Sequence, residues 1–266
     1  MPFFKSDDGV KLYYEVEGTG PLLVLHLGAG ADIELWRMAG YVEPLSKSYT
    51  CVLFDHRGHG KSDHPATVDA NHIDRYADDL AALVRHLGHP SVAFLGWSNA
   101  ISVGLRAAQQ QGNLFDALVL LGGMGRPRPA AKIAEATKRR VAEIREKGWW
   151  SILEPMRAAE KFPVPQWFID SVVATDLEPW IAYTEARTQW AWEPWDALRS
   201  IEAPTLIMAG ELEDPEDVMG DVAATMPNAT RIRIPEREHI NAFLYSEFVV
   251  PRVLEFLAAR THQSTG

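Results

Sequence analysis

The chain predicts an α/β fold, a mostly parallel sheet covered by helices on both faces, with one helical insertion. Three observations predict it. Short, wholly apolar runs recur along the chain, as strands buried on both faces require. Stretches with an apolar period of 3.6 residues alternate with those runs. Residues 125–200 alone break the alternation: they carry helical periodicity, no strand-like run, and seven of the nine tryptophans.

Taken in order, residues 2–17 read as an antiparallel strand pair turning at Asp7-Asp8-Gly9, with Val10, Leu12 and Tyr14 on one side and Lys11 and Tyr13 on the other. Buried strands follow at Leu22–Leu27, Cys51–Phe54, Val92–Leu95, Ala117–Leu121, Leu206–Ala209 and Arg231–Ile234. The first clear helix is Ile73–Leu87, where Ile73, Tyr76, Leu80, Leu83, Val84 and Leu87 share a face. Asn99–Gln111 and Phe243–Ala259 read the same way. The insertion begins with Ile133, Val141 and Ile144 and its first helix stops near Gly148. The expected organisation is a core at 1–124, a helical cap at 125–200 acting as a lid, and the rest of the core at 201–266. At least half of the insertion's tryptophans are expected to pack it onto the body, since aromatics bury large areas wherever they stand. The polar tail 261–266 is expected to fray.

Composition narrows the function classes. The chain has 266 residues, 26 Lys+Arg against 36 Asp+Glu, and a net charge of −10 at pH 7. Such a surface suits neither nucleic acid nor an anionic membrane. The basic run Lys138-Arg139-Arg140 is flanked by Glu135 and Glu143 and reads as a solvated helix face. The single cysteine, Cys51, excludes an intrachain disulfide and any multi-cysteine metal site. The start MPFFKSDDG lacks a basic region followed by an apolar one, and no window approaches a membrane span. A soluble cytoplasmic protein is expected.

The chemistry concentrates in Ser91–Gly104. A buried strand ends at Gly96, Ser98 follows, and a helix begins near Asn99. A serine in that turn stands above the sheet, flanked by small residues that relieve crowding. The helix then points free N–H groups at any anion forming beside it. The plain alternative is a serine capping a helix. Three further stretches accompany it: Leu25-His-Leu-Gly-Ala-Gly with Trp36, Phe54-Asp-His-Arg-Gly-His-Gly-Lys-Ser62, and the C-terminal pair Pro204–Pro215 and Ile234-Pro-Glu-Arg-Glu-His239.

Together these four stretches resemble the α/β-hydrolase superfamily, in its serine-nucleophile branch with a helical cap, over residues 1–260. The resemblance implies an α/β-hydrolase fold and a catalytic order of serine, acid and histidine, which falls on Ser98, Asp214 and His239. An imidazole makes the hydroxyl nucleophilic, and a carboxylate fixes the imidazole's tautomer. The acid is open. Counting three residues on from Gly210 gives Glu213, the Asp-Pro pair gives Asp214, and Glu211 shares the loop; Asp214 is preferred with Glu213 as alternative. The implied oxyanion hole uses the N–H of Asn99 and that of Ala29, with Gly28 as the other count. Leu27 replaces the family's usual histidine, and Ala100-Ile101 stands where Gly-Gly is common. Among the remaining histidines, His56, His59, His64, His86 and His89 read as surface or structural, and Arg57 as a residue pinning its own turn from inside.

The implied activity is cofactor-free, metal-free hydrolysis of an ester, thioester or lactone of a small, mostly apolar molecule through an acyl-enzyme on Ser98. Cleavage of a carbon–carbon bond by the same triad is a second reading, and a non-catalytic ligand-binding protein a third. Serine at the turn argues against the superfamily's epoxide hydrolases and haloalkane dehalogenases, which use aspartate. The partner expected is the substrate, and the insertion leaves room for a homodimer.

Overall fold

The computed structural model describes residues 2–190 and 192–261; positions 262–266 of the predicted tail lie outside them. Eight strands form one sheet: β1 (Phe3–Lys5), β2 (Lys11–Glu17), β3 (Leu22–His26), β4 (Thr50–Asp55), β5 (Val92–Trp97), β6 (Phe115–Leu121), β7 (Thr205–Gly210) and β8 (Ala229–Ile234). Their order is β1-β2-β4-β3-β5-β6-β7-β8. The first three neighbours, β1 with β2 and β2 with β4, pair antiparallel, and every later pair is parallel. All six residues of β5 and of β7 are buried, which explains their unbroken apolar runs.

Alternate residues of each strand feed two apolar layers. Leu23, Leu25, Leu53 and Leu95 face one layer with Trp36 and Phe243, and Val24, Val52 and Phe94 face the other. Before β7 the helices are α1 (Glu34–Met38), α2 (Val42–Leu45), α3 (Ile73–His86), α4 (Ala100–Gln110), α5 (Ala130–Lys147), α6 (Trp150–Ala159), α7 (Gln166–Val173), α8 (Leu177–Ala186) and α9 (Pro194–Ala197). After it come α10 (Val218–Thr225), α11 (His239–Leu244) and α12 (Ser246–Thr261). Helices α5 to α9 all fall between β6 and β7, with no strand among the described residues there. Among the described residues no helix is long and apolar enough to cross a membrane.

One element differs from the pattern reading. The single helix predicted at Phe243–Ala259 is two helices, because Tyr245 leaves helical geometry at φ −86° and ψ 52°. His239 is the first residue of α11.

The chain runs from β3 to β4 on one side, then crosses back to β5 on the other side of β3. The connections leaving β3 and β5 thus diverge, and a crevice opens beyond the carboxyl ends of the two strands. A glycine in the first loop lets them meet there: a Cβ on Gly28 would stand 2.8 Å from Ser98 Cβ and 3.1 Å from Asn99 N.

Candidate active site

Ser98 follows β5 directly, in the left-handed region at φ 60°. An L-residue holds that conformation only where its surroundings force it. Here its N–H donates to Leu121 O of β6, while α4 packs close behind. The packing needs small residues, since a Cβ on Gly96 would meet Phe94 Cε1 at 2.5 Å and Ala100 Cβ at 3.2 Å. The hydroxyl is left above the sheet.

His239 reaches it from beyond β8. Its Nε2 lies 2.9 Å from Ser98 Oγ, and its Nδ1 lies 2.5 Å from Glu213 Oε1. An ionised carboxylate only accepts, so Nδ1 carries the proton and Nε2 offers its lone pair to the serine. The ring is also stacked on Trp97, at 5.1 Å between centroids and 23° between planes. Glu213 receives a second hydrogen bond from Gly123 N, 2.6 Å away, in the loop after β6.

The geometry corrects the preference for Asp214 as the histidine's partner. Asp214 faces the other way, accepting from Val218 N at 2.7 Å and Met219 N at 2.9 Å, with Arg231 Nη2 at 3.6 Å. The cause is local: the first turn of α10 has free N–H donors, and the nearest short carboxylate satisfies two of them. Glu211 is likewise elsewhere, beside Arg233 and the Glu236 N–H.

Burial pushes both members of the His239–Glu213 pair toward neutrality, but their mutual attraction outweighs it. Glu213 is held below its ordinary value by the His239 charge, the His239 hydrogen bond and the Gly123 N–H. His239 is raised above 6.5 by Glu213 and, from farther off, by Glu160. That second carboxylate closes α6 and accepts from Ile240 N at 2.7 Å, Asn241 N at 3.0 Å and Asn241 Nδ2 at 2.6 Å. It satisfies the opening turn of the helix that carries the histidine.

The N–H groups of Ala29 and Asn99 donate to nothing among the described residues, and the Gly28 approach brings the first loop against the second. That loop is held from below by histidines. Gly30 N donates to His59 Nε2 at 3.0 Å; His26 stacks on His56, and His59 packs against His56 at a tilt of 35°. Burial lowers His26 and His59 to about 4, so both are neutral at pH 7. Arg57 is wholly buried, paired through two nitrogens with Asp79 at 2.6 Å each and through Nη1 with Asp8 at 2.9 Å.

Over Ser98 lies a cavity of about 490 Å³, whose far wall is made by α5, α8 and the approach to α9. Trp180 and Trp190 line it, while Trp149 and Trp192 are buried and Trp150 is exposed. Lys138 and Arg139 are exposed as expected of a solvated face, but Arg140 turns onto the cavity wall. Tyr183 of α8 is fully buried and donates to Asn99 Oδ1 at 2.6 Å, tying the insertion to the residue beside Ser98. Glu160 and Tyr183 escaped sequence reasoning because their partners lie 80 and 84 residues away with no local motif. Trp97 stood inside the Ser98 motif, yet only the fold brings His239 onto its face.

Comparison with known proteins agrees with this architecture. Residues 21–144 match the family described as alpha/beta hydrolase fold. The 3-oxoadipate enol-lactonase 2 of Acinetobacter baylyi is 28% identical over 240 residues, covering 83% of this chain and 84% of that protein. A non-heme haloperoxidase of Rhodococcus erythropolis is 34% identical, but over 99 residues that span 37% of this chain and 35% of the relative. Among solved structures, a thermophilic esterase from Thermogutta terrifontis superposes with a TM-score of 0.81 at 23% identity, covering 98% of this chain and 97% of the other.

Proposed function

Since the chain has the α/β hydrolase fold, we propose that it is a serine hydrolase acting on an ester, thioester or lactone of a small molecule. The observation that carries the reading is the continuous chain from Ser98 Oγ through His239 to Glu213, with contacts of 2.9 and 2.5 Å. A pure binding protein has no use for that alignment. The enol-lactonase and esterase relatives support the class of bond.

In this reading Ser98 Oγ attacks the substrate carbonyl while His239 Nε2 takes its proton. Glu213, in place of Asp214, holds the imidazole and stabilises the imidazolium. The N–H groups of Asn99 and Ala29 receive the oxyanion of the tetrahedral intermediate. His239 then returns its proton to the leaving oxygen or sulfur, and an acyl group remains on Ser98. Water, deprotonated by His239, attacks the acyl carbonyl and releases the acid, restoring the serine. The helical segment 125–200 serves as the cap, with α5 and α8 closing the space above the acyl group.

Fluorophosphonate labelling read by intact-protein mass tests the proposal. One adduct is expected on the wild type and none on Ser98→Ala. Equal labelling of both proteins, or of neither, would remove the activated serine.

A further inference from the structure

The cavity over Ser98 is lined by four arginines, Arg126, Arg128, Arg140 and Arg187, against one carboxylate, Glu193. A chain of net charge −10 gives no reason to expect that lining. Two of the cations are engaged: Arg126 Nη2 lies 2.7 Å from Asp221 Oδ2, and Arg140 donates to Ser151 O at 3.2 Å. The other two are not. Among the described residues neither Arg128 nor Arg187 makes a hydrogen bond or ion pair; Arg187 lies over the ring of Trp190, 5.7 Å from its guanidinium carbon, and feels the charge of Glu193 on the same wall. The carboxylate, by contrast, is occupied, since Glu193 and Asp196 cap α9 reciprocally.

The backbone keeps both free cations at the wall. Arg128 stands between Pro127 and Pro129, whose rings restrict its conformations just before α5. The first turn of α5 holds no acidic residue that would neutralise it. Arg187 continues from α8 into a single tight turn and lies against Trp190. Guanidinium groups whose N–H donors are unpaired on a cavity wall raise the local concentration of anions and bind oxyanions through paired N–H donors.

We infer that the substrate carries an anionic group, a carboxylate or a phosphate, remote from its scissile carbonyl and received by Arg128 and Arg187. This rests on the hydrolase reading above. Ile133, Trp180 and Trp190 supply apolar wall for the carbon chain between the two ends. The substrate is thus mostly apolar with one charged terminus.

Three chromogenic substrates test this: the mono-p-nitrophenyl ester of adipic acid, the matching ester ending in a phosphonate, and neutral p-nitrophenyl hexanoate. At low salt the wild type is expected to favour an anionic ester over the neutral one in kcat/KM by roughly tenfold, since exposed ion pairs contribute a few-fold each. The larger of the two anionic preferences identifies carboxylate or phosphate. The preference falls as ionic strength rises. In Arg128→Gln/Arg187→Gln the ratio drops to about one through KM, whereas Arg128→Lys/Arg187→Lys retains most of it. If the neutral ester is turned over as well as both anionic ones, and the double glutamine variant leaves the ratio unmoved, the anion site is wrong and the esterase stands. If no ester is turned over, calorimetric titration of adipate decides. Binding that is lost in the glutamine variant keeps the anion site and sinks the hydrolase reading; no binding sinks both.

Discussion

In the proposed mechanism His239 answers two opposed demands. It must be neutral to accept a proton from Ser98, yet Glu213 and Glu160 both favour its charged form and raise it above 6.5. The acid limb of kcat/KM is therefore expected above pH 6.5, with activity falling as pH drops through the raised value. Replacing the nearer carboxylate removes the largest upward influence. A pH–rate profile of Glu213→Gln should show the limb moved downward and kcat reduced by about 10²–10⁴. An unmoved limb would mean that another group controls the ionisation. Stability runs the opposite way. The raised histidine stabilises the fold below 6.5 and loses that contribution as pH climbs through its folded value. The depressed Glu213 contributes above 4.5 and loses it as pH falls through its own lowered value. The charged pair is thus most stabilising between those two points, on the acid side of greatest activity. Neighbouring residues also show what a motif can and cannot say. The serine and histidine stood out because their spacing to strand ends is fixed by the sheet. The choice between Glu213 and Asp214 depended on which side chain the free N–H groups of α10 would capture, and that is set by where α10 starts, not by either residue's type.

At the scale of elements, α11 is short and carries the histidine at its first position, so its orientation depends on what holds its opening turn. Glu160 does so from α6, across 80 residues of sequence. Glu160→Gln keeps the shape but loses a charged acceptor for three donors, which is expected to cost about 1–3 kcal/mol in chemical unfolding. The same change should lower the pH limb of kcat/KM, because a negative charge near the imidazolium is gone. A loss of stability with no movement of the limb would reduce Glu160 to a fastening. Strands were the most legible elements, since burial on both faces writes itself as an apolar run; β5 and β7 each extend the reading by two residues. The break at Tyr245 was not legible, because apolar residues keep their helical spacing through Phe243, Leu244 and Phe248 while the backbone departs from the helix.

Across the whole molecule, the alternation of strands and helices determined the architecture, and the departure from it at 125–200 located the helices that stand over the serine. The charge pattern was not legible in the same way. Negative residues dominate the count, but the fold sorts four arginines onto one cavity. The bulk charge still governs behaviour in solution. With an isoelectric point near 5.4, light scattering against pH should show greatest self-association about there, and suppression at pH 7 where copies repel. Scattering that peaked above pH 7 instead would show that surface charge does not control association.

The serine and the histidine lie 141 residues apart, just beyond the ends of β5 and β8, strands that join the sheet through separate crossovers. A ribosome delivers Ser98 long before His239, so the emerging chain carries an ordinary, unreactive hydroxyl through most of its synthesis. The proposed activation of Ser98 arrives with β8 and α11, after α5 to α9 have been made. On the proposed mechanism, the order of synthesis keeps the unfinished protein from being acylated by substrate.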